Sequence, residues 1–142
     1  MKNHNLTASL LSGLLLMTLI SCEKEKPLAE AIIGRWELHT VKQVTYEDEV
    51  KVSELIVYSK PDEMEIQFAE GGSGIMYTNG NISGVFTWIL EGNMVTLTGG
   101  TETLEWTVSV DEDTIVWSYT ESEVINNVSY KYEYFFTAIR IA

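Results

Sequence analysis

Alternation with a period of two runs through nearly the whole chain after residue 34, and it is interrupted at near-regular intervals by turn residues. Met64, Ile66 and Phe68 alternate with Glu63, Glu65 and Gln67 before a Glu-Gly-Gly-Ser-Gly turn at residues 70–74. Phe86, Trp88 and Leu90 share one face, as do Leu104, Trp106, Val108 and Val110, and as do Ile115, Trp117 and Tyr119. The last segment places Val128, Tyr130, Tyr132, Tyr134, Phe136 and Ala138 on a single face. Period-two alternation sends successive side chains to opposite faces of a strand, so each segment has one face to bury and one to wet. Asn79-Gly80 is a strong two-residue hairpin signal, and Glu91-Gly92-Asn93, Gly99-Gly100 and Asp111-Glu112-Asp113 punctuate the later segments. In the first strand, Trp36, Leu38 and Thr40 would lie on one face and Glu37, His39 and Val41 on the other. The segment around Leu55, Val57 and Tyr58 reads either as a strand or as a connection ended by Lys60-Pro61.

This pattern predicts about eight antiparallel strands, each joined to the next by a short turn. An open meander of that size would expose two strand edges, whereas closure removes both. The expected fold is therefore all-β, an eight-stranded antiparallel up-and-down barrel. One short helical stretch precedes it at residues 27–33, with Pro27 suited to a first turn and Gly34 to a stop.

The N-terminal segment differs in composition. Lys2 and His4 precede an apolar run over residues 10–20, followed by Leu19-Ile20-Ser21-Cys22. About 20 apolar residues are needed to span a bilayer, so this shorter run reads as a signal peptide. Residues 19–22 resemble a bacterial lipobox, which implies lipid attachment to the Cys22 sulfur, cleavage before it, and anchoring through acyl chains such as palmitate. Cys22 is the single cysteine of the chain. It cannot form an internal disulfide, and lipidation accounts for a thiol that would otherwise be exposed in an oxidising compartment. Glu23-Lys24-Glu25-Lys26 follows as a charged tether. Its acidic residues are similar to export signals of surface lipoproteins in some Gram-negative bacteria. The expected organisation is a signal peptide over residues 1–21, lipidated Cys22 and tether over 22–30, and a barrel domain over 31–142. The expected location is the cell envelope, as an outer-membrane lipoprotein, with the periplasmic and surface-facing leaflets both open.

Residues 22–142 suit a single domain, and that segment keeps all 4 Trp and 7 Tyr, enough aromatic surface for a core. Loss of Lys2 with the leader makes the remainder one charge more negative than the −12 of the whole chain. Such acidity repels nucleic acid, which is excluded as a partner.

Gly34-Arg35-Trp36, after a helical turn and at the start of the first strand, resembles the Gly-x-Trp motif of the lipocalins. The order of later segments is similar too, through residues 68–74 and 84–88 to the closing aromatic strand. In that family a basic residue on the last strand packs over the Trp and closes the barrel base, and the resemblance places Arg140 in that role. It implies a binding protein in which Gly34, Trp36 and Arg140 are structural. The family's Thr-Asp-Tyr motif is missing, and the two residues after Arg140 leave no room for the helix that larger members pack on the barrel. A minimal member is implied.

The aromatic residues Phe86, Trp88, Trp106, Trp117, Tyr119, Tyr130, Tyr132 and Tyr134 form the candidate ligand-binding set. Either they make a cup for a small apolar or amphipathic molecule, with tyrosine hydroxyls orienting its polar end, or they fill the barrel, which at eight strands is just wide enough for side chains. A concave pocket of about 300 Å³ or more would mark the first. The second would make the protein a structural or interaction lipoprotein working through its outer surface, with an envelope protein as partner.

Catalysis finds little support. Once His4 leaves with the leader, His39 is the remaining histidine, and no partnered nucleophile is recognisable. Glu63 and Glu65 fall on the expected wet face and read as solubilising. The residues 111–113 acidic turn lacks the Gly and later Glu of an EF-hand loop, so no metal and no cofactor is expected.

Overall fold

The computed structural model describes residues 25–142. The segments expected to form a signal peptide and a lipobox, with Cys22, lie outside the described residues. Among the described residues a single helical turn, α1 (Leu28–Ala31), leads into nine strands: β1 (Gly34–Glu47), β2 (Val50–Tyr58), β3 (Met64–Phe68), β4 (Ser73–Thr78), β5 (Asn81–Glu91), β6 (Met94–Gly99), β7 (Glu102–Asp111), β8 (Thr114–Ile125) and β9 (Val128–Arg140). All pairings are antiparallel, and β9 pairs back onto β1. Eight strands, all but β2, thus close a lipocalin-like barrel, as the alternation predicts.

β1 explains the ninth strand. Along one edge it pairs with β9 from Trp36↔Arg140 to Glu47↔Tyr130. Its other edge is divided: residues Gly34 to Glu37 pair with β3, and Thr40 to Glu47 pair with β2. The ring therefore passes from β1 to β3, and β2 extends the wall beside the mouth. The β1–β2 hairpin was ambiguous in sequence because its turn residues, Asp48 and Glu49, adopt positive φ of 43° and 68° without a glycine to advertise them. By contrast, Asn79 and Gly80 turn β4 into β5 at φ of 51° and 77°.

Two local expectations need correction. A β-bulge at His39 shifts the β1 register between Leu38 and Thr40. The extra residue returns Val41 to the inner face, opposite Phe136, and sends Thr40 outward, the reverse of uninterrupted alternation. The helical stretch is also shorter than 27–33. Its C-terminal carbonyls are taken by side chains instead of further helix: Trp36 Nε1 donates to Ile32 O at 2.9 Å, and Arg140 donates from Nη2 to Ala31 O at 2.8 Å and from Nη1 to Ile33 O at 2.6 Å. This turn begins at Leu28, within the 22–30 segment assigned to the tether, and Leu28 packs against the core.

The base is closed by that cluster. The Arg140 guanidinium lies 4.1 Å from the centroid of the fully buried Trp36 ring, and Ile32 is buried beside it. Gly34 has φ of +142°, and a Cβ there would sit 2.4 Å from Arg140 Nη1, so the motif glycine makes room for the arginine. Further round the base, Phe86 lies against Gly74, where a Cβ would come within 2.1 Å of its ring, and Phe68 packs edge-on to both Phe86 and Trp88. Above this layer the core continues through Leu38, Ile66, Val95, Leu97, Val108, Ile115, Trp117 and Ala138.

Glu65 is a third departure. It sits on the outer face of β3, yet it is 3% exposed and ion-paired to Arg35. Arg35 in turn stacks over Tyr77, 3.9 Å from its centroid. Glu65 is thus a buried charge with its partner, not a solubilising one.

Candidate functional site

The register of β1, β9 and β8 sets the inner wall row by row, because directly opposed residues share a face. From the base upward the rows are Leu38, Ala138 and Ile115; then Val41, Phe136 and Trp117; then Gln43, Tyr134 and Tyr119; then Thr45, Tyr132 and Glu121; and last Glu47, Tyr130 and Glu123. The wall passes from apolar through aromatic to acidic within five rows.

The rings on this wall lie nearly parallel. Trp106 and Trp117 stack at 5.7 Å and 15°, Trp117 and Phe136 at 6.0 Å and 8°, and Tyr119 and Tyr134 at 4.7 Å and 22°. Tyr119 also stacks on Phe136 at 6.0 Å, joining the lower cluster to the upper pair, and Tyr130 and Tyr132 lie 6.4 Å apart toward the mouth. Alternate residues on neighbouring strands stand perpendicular to the sheet, which aligns their ring planes.

Against the lower part of this ladder is a cavity of about 140 Å³, lined by Trp36, Leu38, Met64, Glu65, Ile66, Met76, Trp106, Trp117 and Phe136. Apart from Glu65, whose carboxylate is paired with Arg35, the lining side chains are apolar. It is less than half the 300 Å³ that would enclose a drug-sized molecule, so the barrel is largely filled. A wider groove outside the base, between α1 and the β7–β8 turn, is open to solvent and bordered by Glu30, Glu70, Asp111 and Glu112; it encloses nothing.

The eight aromatic candidates divide. Trp106 and Trp117 line the cavity; Tyr119 and Tyr134 stack above it; Tyr130 and Tyr132 stand at the acidic rim. Phe86 and Trp88 are elsewhere, packed on Phe68, with Trp88 Nε1 donating to Ser73 O at 2.9 Å. Trp36, assigned to the base, also contributes to the cavity lining, as does Phe136. Met64 and Met76 complete it from β3 and β4, and their places on alternating strands were the available signal. The acidic rim was not anticipated, because glutamates on the inner face look in sequence like any solvated charge.

Electrostatics at the rim follow from those glutamates. Tyr132 Oη donates to Glu123 Oε1 at 2.8 Å, and this bond, with burial and the nearby carboxylate charge, raises the Tyr132 phenol pKa above its ordinary value. The Glu47 carboxylate beside Tyr130 raises that phenol too. Tyr119 is raised chiefly by burial, then by Glu121 and Tyr134.

His39 lies on the outside in the bulge, its Nε2 3.3 Å from Glu37 Oε1. Glu37, Asp62 and Glu65 bring carboxylate oxygens within 4.8 Å of one another, but Glu65 is already paired with Arg35 and Glu37 accepts from the Asp62 backbone N–H at 3.1 Å. The cluster is a piece of outer-wall structure. No protein-family model, no curated protein and no solved structure matches this chain, so its site is read from its own geometry.

Proposed function

We propose that the protein is a membrane-anchored, lipocalin-like binding protein that holds a small apolar or amphipathic molecule without transforming it. The observation that carries this reading is the apolar cavity of about 140 Å³ beneath a continuous stacked ladder, Trp106, Trp117, Phe136, Tyr119 and Tyr134. An apolar cavity of about 150 Å³ takes up a molecule such as benzene, so this one suits the end of a ligand. The remainder would lie along the tyrosine rows. Anchoring through a lipid on Cys22, in the outer membrane of a Gram-negative bacterium, is supported by the lipobox-like residues 19–22. The non-catalytic reading is supported by the lone mature histidine, His39, lying on the outer wall away from the cavity.

The test is native mass spectrometry of the chain released from its host membranes, followed by tryptophan-fluorescence titration with lipids, bile acids and glycans. A co-purified small molecule, or a saturable response lost in Trp117→Ala, supports the binder; an empty protein with no response removes it. Mass analysis of the N-terminal peptide tests acylation of Cys22 directly.

Two observations favour a second reading, an interaction lipoprotein with a filled barrel: the cavity falls short of the roughly 300 Å³ that would enclose a whole ligand, and β2 is open to a partner. β2 exposes Val50, Val52, Leu55, Ile56, Val57 and Tyr58 and is paired on one edge, to β1. An apolar strand with an open edge is a template for strand addition by an envelope protein partner. Crosslinking from Tyr58 in intact cells would capture that partner if this reading holds.

A further inference from the structure

We propose that the molecule held at this site carries a positive charge: a small amphiphilic ammonium or amidinium compound with its apolar end in the tryptophan cavity and its cation among the rim tyrosines and glutamates. This inference rests on the binding reading above and specifies its ligand class.

Charge is segregated across the wall made by β2, β1, β9 and β8. On the inner face the top two rows present Glu47, Glu121 and Glu123 around Tyr130 and Tyr132. The inner positions of β2, Ser53, Leu55 and Val57, add no charge. Every lysine of these four strands is on the opposite face. Lys42 lies over Phe135 at 4.7 Å, Lys131 over Tyr46 at 4.3 Å, and Lys51 pairs with Glu54. Among the described residues, none of the three inner glutamates forms an ion pair with a protein cation. Ordinary solubilising surfaces intersperse both signs, and the outer face of this same wall does so.

The chemistry of the rows fits one kind of guest. Tyrosine faces attract cations through their ring quadrupole, most strongly where solvent is partly excluded. Carboxylates beside them add Coulombic attraction and hydrogen-bond acceptors, but no donor for an anion. A carboxylate or phosphate headgroup would meet three like charges, and a neutral hydroxyl could donate a hydrogen bond to one of them but would leave their charge unbalanced. Spacing sets the length. The Phe136 row and the Tyr132 row are four residues apart on β9, so at strand rise the cation stands about 13 Å from the buried end.

The full chain in nanodiscs of neutral phospholipid is titrated calorimetrically with 6-phenylhexylammonium, 6-phenylhexan-1-ol and 6-phenylhexanoate, which share the apolar end and differ in charge. The expected result is ammonium binding at least tenfold tighter than the alcohol, carboxylate binding weaker still, and a preference that weakens with added salt. In Glu121→Gln/Glu123→Gln the ammonium preference should fall to near one. Glu133→Gln, which removes one carboxylate on the opposite face of β9, should keep it, and Glu47→Gln, which removes one on the rim, is the matched single variant and serves should the double variant misfold. Ammonium and alcohol binding within twofold of each other, or a preference that survives both rim variants, overturns the cationic ligand and leaves the binding reading standing. No binding by any of the three overturns both.

Discussion

Arg140→Met is the most informative single perturbation of the barrel, because one side chain closes its base in three ways. The guanidinium donates to Ile33 O at 2.6 Å and to Ala31 O at 2.8 Å, and hydrogen bonds with a charged partner contribute about 1.5–3 kcal/mol each. Its stacking over Trp36 at 4.1 Å adds about 0.5–2 kcal/mol. The contact with Asp113 at 3.3 Å involves an exposed carboxylate and contributes under about 1 kcal/mol. These contributions share one side chain and do not sum independently, so the expected loss is about 3–5 kcal/mol. Methionine keeps the apolar stem and removes every donor, leaving two carbonyls of the α1 turn unpaired. Equilibrium urea unfolding followed by tryptophan fluorescence measures the effect. At a slope of about 1.5 kcal/mol/M, a loss of 3 kcal/mol lowers the midpoint by about 2 M with the slope unchanged. Arg140→Lys should recover part of the loss, since one ammonium cannot reproduce the two-pronged fork. A change within about 0.5 kcal/mol for Arg140→Met would refute the claim that this residue holds the base closed.

Three further outcomes are expected. Gly74→Ala should destabilise by about 1–3 kcal/mol or more, because the added methyl would approach the Phe86 ring at 2.1 Å and Gln67 O at 2.8 Å; an unchanged thermal midpoint would show that Phe86 can move aside. Arg35→Met should cost about 3 kcal/mol by stranding the buried Glu65 charge, whereas Arg35→Met/Glu65→Leu should be close to wild type; equal losses in the single and double variants would contradict this. Spectrophotometric alkaline titration should show Tyr119, Tyr130 and Tyr132 ionising above the ordinary tyrosine range. Because their folded pKa values are raised, the stability they contribute is complete below the unfolded value of about 10 and is lost as pH climbs through the folded values. Glu47→Gln should bring Tyr130 back toward the ordinary range, and no movement would remove Glu47 as the cause.

Strand count, antiparallel order and the inward set of side chains were legible in residues 64–140 because alternation is a local property: each side chain's face follows from its neighbours two residues away. Glycine-marked turns at Asn79-Gly80 and Gly99-Gly100 were legible for the same reason, since positive φ is encoded by residue type. What depends on partners distant in sequence was hidden. The bulge at His39 is a matter of register between β1 and β9, roughly a hundred residues apart, and it alone decides that Val41 and not Thr40 faces the core. The division of one β1 edge between β2 and β3 made a ninth strand of a segment whose Asp48-Glu49 turn carries no glycine. Burial of Glu65 required Arg35 and Tyr77 to converge over it from two other strands.

The site shows the same division. By itself the sequence determined that an aromatic inner face exists, because composition and alternation suffice for that. Only the tertiary structure decided which rings share a cavity, separating Phe86 and Trp88 at the base from the Trp106, Trp117 and Phe136 stack, and placed Glu47, Glu121 and Glu123 around the rim tyrosines. The physical reason is that period two assigns a face, while the distance between two residues on that face is set by pairing register and barrel closure, which no local pattern records.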